Sequence, residues 1–380
     1  MSKSGNRPIN PLSGARVTVN LSALADNWSY LNAESGAAEC AAVVKADSYG
    51  TGVEPTVVAL QQAGCNTFFV ALPEEGVAVR RVSPNAVIYV LNGLFPGVES
   101  LLASAQLRPV LSSLDEVRDW ASYCSDTGDR LPAALHAETG INRLGMRRED
   151  LEYLAAQDDL LGAFAPTLLM GHLACADEPD HPMNAQQLAE FEAIRRAYPG
   201  LPCSLANSSG IFLGEAYRFD LVRPGIALFG GNPTPGNPNP MKTVAYLDAR
   251  VMQVRTVPAG ETVGYGANRT LKRETRLAVI AAGYADGYKR MASNTDSQTG
   301  GVAYHKGQAV PLLGRVSMDQ ITLDATDSPD LQRGSLIELL GDHAIVDDVA
   351  KACGTISYEI LTNLGHRYER VYIDRHSVVD

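Results

Sequence analysis

Short apolar runs alternate with amphipathic stretches from about residue 40 to about residue 230, at the spacing of successive βα units. The stretches between the runs place apolar residues three to four apart, which predicts helices, and capping residues such as Ser113 precede them. The eight strand candidates are 40–46, 67–72, 86–92, 108–112, 132–137, 167–173, 202–206 and 221–229. Eight strands with interleaved helices predict an α/β fold and favour a closed (β/α)8 barrel over an open doubly wound sheet, which is the alternative.

A proline-rich segment ends this pattern at 232–240, where the chain reads NPTPGNPNP. Four prolines in nine residues can neither continue a helix nor lie in a central strand, so a domain boundary is expected there. Beyond it, apolar residues alternate or run together between glycine-rich turns, and only 346–352 has a helical pattern. The predicted organisation is an N-terminal extension at 1–15, a barrel at 16–236 and a mainly β C-terminal domain at 237–380, with a strand at 16–21 as a candidate to join it.

Length and composition agree with two folded domains. A (β/α)8 barrel takes about 250 residues, so a chain of 380 has room for a second, smaller domain. With 45% hydrophobic and 20% charged residues the chain can bury a core, which excludes disordered and fibrous classes. The net charge of −11 argues against nucleic acid as a partner, because phosphate neutralisation needs a positive surface.

Targeting and metal signals are missing from the sequence. No apolar run is long enough to span a bilayer, and the polar start of the chain does not resemble a signal peptide. The six cysteines are scattered without a CxxC pair, which is typical of reduced thiols in the cytoplasm. Because HxxxH and HExxH spacings are also missing, we expect no metal site and no membrane partner.

A lysine at the end of the first predicted strand carries the strongest chemical signal. Lys45 follows an apolar run, where its ammonium group would lie in or beside the barrel core. An isolated lysine of this kind usually extends its amine to solvent. The functional alternative is an amine of lowered pKa that forms a Schiff base at the catalytic face of the barrel.

Polar segments after two other strands favour the functional alternative. Asn207-Ser208-Ser209-Gly210 follows the seventh predicted strand, and Arg223-Pro224-Gly225-Ile226 lies in the eighth. Many barrels hold a phosphate with the hydroxyls and free amides at these two positions. Together with Lys45, the two segments suggest a phosphorylated cofactor that has an aldehyde.

Eight ordered motifs in this chain resemble those of alanine racemases, and they cover roughly residues 15–375. They are Lys45-Ala46-x-x-Tyr49-Gly50, Thr139-Gly140-x-x-Arg143-Leu144-Gly145, Gly171-His172, Ala206-Asn207-Ser208, Arg223-Pro224-Gly225-Ile226, Gly264-Tyr265-Gly266, Gly283-Tyr284-Ala285-Asp286-Gly287 and Gly314-Arg315-Val316-Ser317-Met318-Asp319. The resemblance implies an isomerase that interconverts L- and D-alanine, with pyridoxal 5'-phosphate as cofactor, an N-terminal barrel and a C-terminal β domain.

The resemblance also implies two bases, because inverting a stereocentre needs a proton removed from one face and another delivered to the opposite face. Lys45, which would also bind the cofactor aldehyde, is one base. Tyr265 of the second subunit in a head-to-tail homodimer with shared active sites is the other. The residues implied to hold the cofactor are Lys45, Tyr49, His172, Asn207, Ser208, Arg223, Gly225, Ile226 and Tyr358.

Further implied roles concern the substrate and the electrostatics of the site. Arg143 and Met318 would contact the substrate carboxylate, the latter through its amide. Tyr284 would help Tyr358 to narrow the entrance, which favours a small side chain and makes alanine the leading substrate. His172 would link the tyrosine base to Arg223, and the Arg223 guanidinium would face the pyridine nitrogen of the cofactor.

The chain departs from the family pattern at His136, where many alanine racemases have a carbamylated lysine that orients the arginine matching Arg143. Histidine cannot carry a carbamate, so a chloride, Glu138 or His136 itself are the alternatives for holding this arginine. The first motif also differs, with Asp47, Ser48 and Thr51 where Asn, Ala and His are usual. These changes bear on substrate range more than on the core chemistry.

Other functions remain open at this point. One alternative is a racemase of another or a broader set of small amino acids on the same fold. An amino-acid decarboxylase is disfavoured by Tyr265 and by the absence of a longer insertion, and a non-catalytic cofactor carrier is disfavoured by the second domain. Whether the enzyme would supply D-alanine for peptidoglycan or degrade alanine is also left open.

Overall fold

The computed structural model describes residues 9–374 and 378–379 of the chain. It begins with strand β1 (Ala15–Asn20), which leads directly into helix α1 (Leu21–Glu34). The Asn20 side chain caps this helix by accepting a hydrogen bond from the Ala23 amide at 3.0 Å. The predicted extension at 1–15 therefore lies within the described residues only from position 9 onward.

Short parallel strands follow and form a closed ring. They are β2 (Glu39–Cys40), β3 (Ala42–Val43), β4 (Thr67–Val70), β5 (Val87–Val90), β6 (Arg108–Leu111), β7 (Pro132–His136), β8 (Ala165–Met170), β9 (Cys203–Ser204) and β10 (Leu221–Val222). β3 to β9 pair in chain order, and β10 pairs in parallel with β2. The ring closes because the Asp220 amide donates to the Cys203 carbonyl at 3.0 Å and the Arg223 amide donates to the Ala206 carbonyl at 2.9 Å.

The predicted barrel is thereby confirmed, with two differences in strand length. The first predicted strand is interrupted at Ala41 and forms both β2 and β3. The eighth ends at Val222, earlier than the apolar pattern predicts, and 226–229 forms a short 3₁₀ turn instead. Pro224 lacks an amide hydrogen for the sheet, which explains the early end.

Helices cover the outside of the ring. They are α2 (Lys45–Gly50), α3 (Val53–Ala63), α4 (Pro73–Val82), α5 (Glu99–Ser104), α6 (Leu114–Thr127), α7 (Arg148–Ala155), α8 (Asp158–Gly162) and α9 (Pro182–Arg195). α6 begins after Ser113, as predicted, because the Ser113 hydroxyl accepts a hydrogen bond from the Glu116 amide at 3.2 Å. The buried face of α6 includes Val117, Trp120 and Cys124, which pack on the barrel.

The barrel core consists of strand residues that are buried on both faces of the sheet. Phe68, Phe69 and Val70 of β4, for example, have no exposed area. Double burial explains why the barrel strands have continuous apolar sequences instead of alternating ones. Polar residues at the ends of these strands are consequently the ones available for chemistry.

The C-terminal domain is mainly β, as predicted. Its strands are β11 (Ala245–Val257), β12 (Thr275–Ile280), β13 (Val302–His305), β14 (Gln308–Leu313), β15 (Ile321–Asp324), β16 (Leu336–Leu340), β17 (Glu369–Ile373) and β18 (Val378–Val379). β11 pairs with both β12 and β16, so β11 to β16 close into a second ring of strands. β1 pairs with β11 and β17, so this strand belongs to the sheet of the C-terminal domain.

Two helices of the C-terminal domain reach the mouth of the barrel. These helices are α10 (Val346–Ala352) and α11 (Ser357–Thr362). Asp347 of α10 accepts hydrogen bonds from the Ser357 hydroxyl and from the Asn232 amide, the latter at 3.1 Å. The proline-rich segment is thus tied to α10, and α11 lies against α2, where a Cβ on Gly50 would overlap the Leu361 carbonyl.

The helices and the cysteines bear on the predicted absence of a membrane span and of disulfides. Among the described residues, no helix combines the length and apolar character needed to cross a membrane. All six cysteines are free thiols, and five of them are buried.

Candidate active site

A cavity of about 880 Å³ opens at the carboxyl ends of the barrel strands. Its wall includes ten of the side chains singled out in the sequence, contributed by several different strand ends and by α11: Lys45, Tyr49, Arg143, His172, Asn207, Ser208, Arg223, Gly225, Ile226 and Tyr358. A volume of this size accommodates a cofactor together with a small substrate. The cavity therefore brings together the predicted cofactor residues and one of the predicted carboxylate-binding residues.

Lys45 stands at the wall of this cavity, immediately after the first barrel strand. The next four residues, 46–49, have φ between 52° and 55°, so α2 is a left-handed turn instead of a right-handed helix. None of these four residues is glycine, and left-handed backbone costs roughly 1–2 kcal/mol per non-glycine residue. Strained backbone of this kind concentrates at functional sites, where surrounding contacts hold it in place.

Burial lowers the pKa of the Lys45 amine, and the Arg143 guanidinium adds to the effect. The Glu75 carboxylate opposes both and raises this pKa. A lowered pKa increases the fraction of neutral amine, which is the form that attacks an aldehyde or accepts a proton. Lys45 is therefore placed for either task.

Tyr49, Ser208 and Gly225 form a polar recess at the inner end of the cavity. The Ser208 hydroxyl accepts hydrogen bonds from the amides of Gly225 at 2.9 Å and Ala227 at 3.4 Å. A Cβ at position 225 would overlap the Tyr49 hydroxyl, so only glycine permits this close approach. The Tyr49 ring is fixed by stacking on Phe229, with centroids 4.7 Å apart. Hydroxyls and amides facing one recess are donors suited to a phosphate.

Arg223 is buried beneath the cavity and is held from several sides. Its guanidinium donates to the Ser204 hydroxyl and to the Gly171 carbonyl, the latter at 2.5 Å, and lies over the Phe69 ring. Burial lowers the pKa of Arg223 to about 9, so the group remains a cation at neutral pH. A fixed cation at this depth is a permanent electrostatic feature of the site.

His172 follows Gly171 and is uncharged at neutral pH. Burial lowers its pKa well below the usual value, and the nearby Arg223, Arg143, His136 and Lys45 add to the effect. The two arginines and the lysine, not the neutral histidines, make this part of the cavity attractive to anions. A substrate carboxylate and a phosphate are both favoured there.

Arg143 lies at the tip of a tight loop after β7. Glu138 organises this loop by accepting hydrogen bonds from the Gly140 amide and from the Arg143 amide, the latter at 3.3 Å. The loop returns to the strand, where the Met146 amide donates to the His136 carbonyl at 2.8 Å. Glu138, one of the alternatives that the sequence offered for holding Arg143, thus binds the main chain of this arginine.

His136 is buried, with 5% of its surface exposed, and its Nδ1 lies 3.2 Å from the Ser112 hydroxyl. The hydroxyl also donates to the Val110 carbonyl at 3.3 Å, and in the tautomer that matches this arrangement Nδ1–H donates to the hydroxyl and Nε2 carries the lone pair. Nε2 has no hydrogen-bond partner among the described residues. Burial, together with Arg223, lowers the pKa of His136 to about 4, so the ring is neutral.

Tyr265, Tyr284 and Met318 lie outside this cavity, on the surface of the C-terminal domain. Tyr265 is 72% exposed and Met318 is 53% exposed, and both line a second cavity of about 820 Å³. Tyr284 joins them through the main chain, because its amide donates to the Ser317 carbonyl at 3.0 Å. Within one chain the structure therefore forms two groups of predicted residues, one in the barrel and one on this surface.

Two residues of the site neighbourhood were missed in the sequence. Ser204 binds the Arg223 guanidinium, and Glu75 binds the amide that follows Lys45. A glutamate at the third position of α4 is a capping signal that could have drawn attention to Glu75. Ser204 gave no such signal, because its contact with Arg223 joins two strands that are separate in sequence.

Comparison with known proteins adds independent information. A family model described as "Alanine racemase, N-terminal domain" matches residues 19–233, and one described as "Alanine racemase, C-terminal domain" matches residues 244–372. An alanine racemase of Methylobacterium nodulans is 50% identical over 96% of this chain and 98% of its own length. One of another Methylobacterium strain is 49% identical over 95% and 98%.

A solved structure extends the similarity to three dimensions. An alanine racemase from Bartonella henselae with covalently bound pyridoxal phosphate superposes with a TM-score of 0.90 at 39% identity. The alignment covers 95% of this chain and 100% of that one. The similarity thus includes the barrel, the C-terminal domain and the connection between them.

Proposed function

The chain belongs to the alanine racemase family, and from this premise we propose that it interconverts L- and D-alanine with Lys45 and Tyr265 as the two bases. Pyridoxal phosphate is the cofactor of the family. One observation carries the assignment to residues. Lys45 shares the wall of a single barrel cavity with a phosphate-sized recess, whereas the exposed Tyr265 lies on another surface of the molecule.

The residues of the cavity fit this cofactor. Ser208, Tyr49 and the amides of Gly225 and Ile226 would hold the phosphate, because a Cβ at position 225 would fill the recess that glycine leaves open. Tyr358 of α11 would close the same recess from the side, since its ring lies 6.0 Å from that of Tyr49. Asn207 supports the cradle by accepting a hydrogen bond from the Gly210 amide at 3.0 Å.

Lys45 has the properties required of a base on one face of the substrate. Burial lowers the pKa of its amine toward the range in which general bases are most effective. When bound, pyridoxal phosphate supplies an aldehyde that links to amines and a conjugated ring that accepts the charge left by a departing α-proton. We assign the buried cation Arg223 to the pyridine nitrogen, whose protonation it would disfavour.

A second base must reach the opposite face, and the predicted tyrosine base, Tyr265, does not line the barrel cavity of its own chain. Tyr265 is the most exposed aromatic residue among the described side chains, and it adjoins Met318 and Tyr284 on one surface. A homodimer in which this surface covers the barrel mouth of the other copy would bring Tyr265 to that opposite face. His172, which is neutral, would then connect the phenol to Arg223.

The substrate side of the proposal rests on charge and size. Arg143 is a cation on the cavity wall and would bind the carboxylate, and the Met318 amide of the second copy would share this role. Tyr358 and the second copy's Tyr284 would restrict the space for the side chain, which favours alanine. The free thiols support our expectation of a reducing, cytoplasmic location.

Replacing Tyr265 by phenylalanine tests the two-base assignment. In deuterated water, the variant should still exchange the α-hydrogen of the enantiomer that faces Lys45, whereas conversion to the mirror image should fall about 100-fold or more. Early incorporation of deuterium at the α-carbon of each enantiomer measures the exchange, and chiral separation of the products measures the conversion. Tyr304→Phe, which removes a hydroxyl elsewhere in the same domain, is the matched control.

Near-wild-type exchange and conversion from both enantiomers in Tyr265→Phe would remove this tyrosine from the mechanism. The same assay on a panel of pure L-amino acids defines the substrate range. The proposal is supported if alanine is the only amino acid converted or the one converted fastest. If another small amino acid is converted faster, that amino acid and not alanine is the substrate.

A further inference from the structure

Glu75 makes an unusual set of contacts at the point where the chain leaves Lys45. One carboxylate oxygen, Oε1, accepts a hydrogen bond from the Ala46 amide at 2.6 Å. The other oxygen, Oε2, accepts from the amides of Ala71 at 2.7 Å and Leu72 at 3.1 Å. A single side chain therefore joins the residue after Lys45 to the end of the neighbouring strand β4.

The left-handed turn after Lys45 needs such an anchor. Its exit is held by local contacts, because the Gly52 amide donates to the Asp47 carbonyl at 2.9 Å and the Val53 amide donates to the Asp47 carboxylate at 2.8 Å. Its entry is the Ala46 amide, whose partner is Glu75, 29 positions away in sequence. Without this contact, the strain of four left-handed residues could relax at the end next to Lys45.

The Glu75 carboxylate is also held by contacts of its own helix, independently of the turn. It occupies the third position of α4, behind Pro73, and supplies the cap that Leu72 at the helix start cannot supply. A negative charge in the first turn is also favoured by the helix dipole. The barrel strands on either side are paired, since the Val44 amide donates to the Phe69 carbonyl at 2.9 Å. Glu75 thus connects two fixed parts of the barrel, the start of α4 and the backbone that follows Lys45.

We propose that Glu75 is a positioning residue for Lys45, which fixes the amine at the site where it binds the cofactor and transfers the proton. This inference rests on the role proposed above for Lys45. The negative charge of Glu75 has a second effect: it raises the pKa of the Lys45 amine, which the Arg143 guanidinium lowers.

A purely structural role is the competing explanation, and the barrel offers a precedent for it. Glu116 at the start of α6 likewise accepts from the Ser112 amide at 2.7 Å, at a loop that does not follow Lys45. A structural cap contributes to stability alone. A positioning residue must in addition change the behaviour of the Lys45 amine.

The test compares Glu75→Gln, Glu75→Asp and Glu75→Ala in the cofactor-loaded enzyme. Glutamine keeps the size but offers only one acceptor oxygen for the two sets of amides, and it removes the charge. We expect Glu75→Gln to lower kcat about 10-fold or more with little change in KM, because a misplaced base affects the proton transfer and not substrate binding. Glu75→Asp, which keeps the charge, should recover part of the loss.

Two readouts do not depend on the rate of racemization. Cofactor release, followed by loss of the visible absorbance after gel filtration, should be about 10-fold faster in Glu75→Gln. The acidic limb of the kcat profile should move to lower pH, because the carboxylate raises the pKa of Lys45 and its removal lets this pKa fall. Where Glu75→Ala fails to fold, the glutamine and aspartate variants carry the test.

Asp220→Asn is the matched control, because the Asp220 carboxylate accepts from the Cys203 amide at 2.8 Å at the start of β9, the end of the barrel away from the cavity. It should lower the melting temperature without changing cofactor release or the pH profile. The inference is overturned if the Glu75 variants behave as Asp220→Asn does, with lower stability alone. Lys45→Ala is measured in parallel: if it keeps the visible absorbance of the lysine-bound cofactor, the role of Lys45 itself fails, whatever the Glu75 variants do.

Discussion

At the scale of single residues, His136 stands where many alanine racemases have a carbamylated lysine, and this difference changes which groups are available to hold Arg143. The ring is neutral and buried, its Nδ1 is engaged with Ser112, and its Nε2 carries a lone pair without a partner among the described residues. The charge of Arg143 contributes to the lowered pKa of His136, so the guanidinium lies within electrostatic range of this neutral ring. Glu138 meanwhile holds the main chain of the same arginine. His136 would therefore orient the side chain of Arg143, and Glu138 holds its backbone.

We therefore expect His136→Ala to raise KM for alanine about tenfold and to leave kcat nearly unchanged. The reason is that the unpartnered Nε2 of His136 would accept a hydrogen bond from Arg143 in the substrate complex, and its loss would affect bound substrate and transition state equally. Steady-state kinetics in both directions measures the effect. His305→Ala removes another buried histidine, in the C-terminal domain, and should leave KM unchanged. An unchanged KM in His136→Ala would exclude this histidine from substrate binding.

At the scale of elements, the left-handed turn 46–49 is the segment least expected from the sequence. Residues 53–63 form the helix that the pattern predicts, yet the residues just before it take the opposite hand. Local propensity cannot produce this result, because none of the four residues favours left-handed backbone as glycine does. Contacts from Glu75, Asp47 and α11 hold the turn.

This conformation predicts the effect of glycine at an exposed position of the turn. Ala46 has a φ of 53°, so Ala46→Gly should raise the free energy of unfolding by up to about 1 kcal/mol, the relieved strain being partly offset by the greater freedom of the unfolded chain. Ala46→Val should lower it by more than about 1 kcal/mol, since β-branched residues avoid positive φ. Urea unfolding followed by circular dichroism compares both with the parent chain. A destabilising glycine would contradict the left-handed assignment.

At the scale of the whole molecule, the candidate site is divided between two surfaces. The barrel carries Lys45 and the cofactor recess, and the C-terminal domain carries Tyr265, Tyr284 and Met318 on an exposed face. The described residues that line the second cavity, next to Tyr265, include none of the predicted cofactor set. Under the proposed function, these two surfaces would complete one site when two copies associate by a twofold axis.

Mixing two inactive variants tests this arrangement. Lys45→Ala and Tyr265→Ala chains should each be inactive as homodimers, because every site then lacks one base. In a mixed dimer one site has both defects and the other has none. Equal mixing by unfolding and refolding should restore about a quarter of the parent activity, since half the dimers are mixed and each has one intact site of two. No recovery, with mixed dimers demonstrated by a tag, would place both bases in one chain.

Much of the architecture could be predicted because it depends on local patterns. Apolar runs predicted the barrel strands, and the prolines at 232–240 predicted the end of the barrel. Lys45 stood out because a charged residue at the end of a buried strand is costly. The roles of Tyr265 and Met318 came from the family resemblance alone, because nothing in their local sequence distinguishes them from residues of an exposed turn.

The sequence by itself determined the order of the barrel strands, the mainly β character of the C-terminal domain and the presence of a lysine at a strand end, because hydrophobic periodicity acts on neighbouring residues. Only the tertiary structure decided that Glu75 reaches the Ala46 amide, that Ser204 binds Arg223 and that His136 is left with a free acceptor. The physical reason is that these contacts join residues far apart in the chain, and their existence depends on strand register and barrel closure. Polar contacts of this kind have no period along the sequence, so the folded geometry alone specifies them.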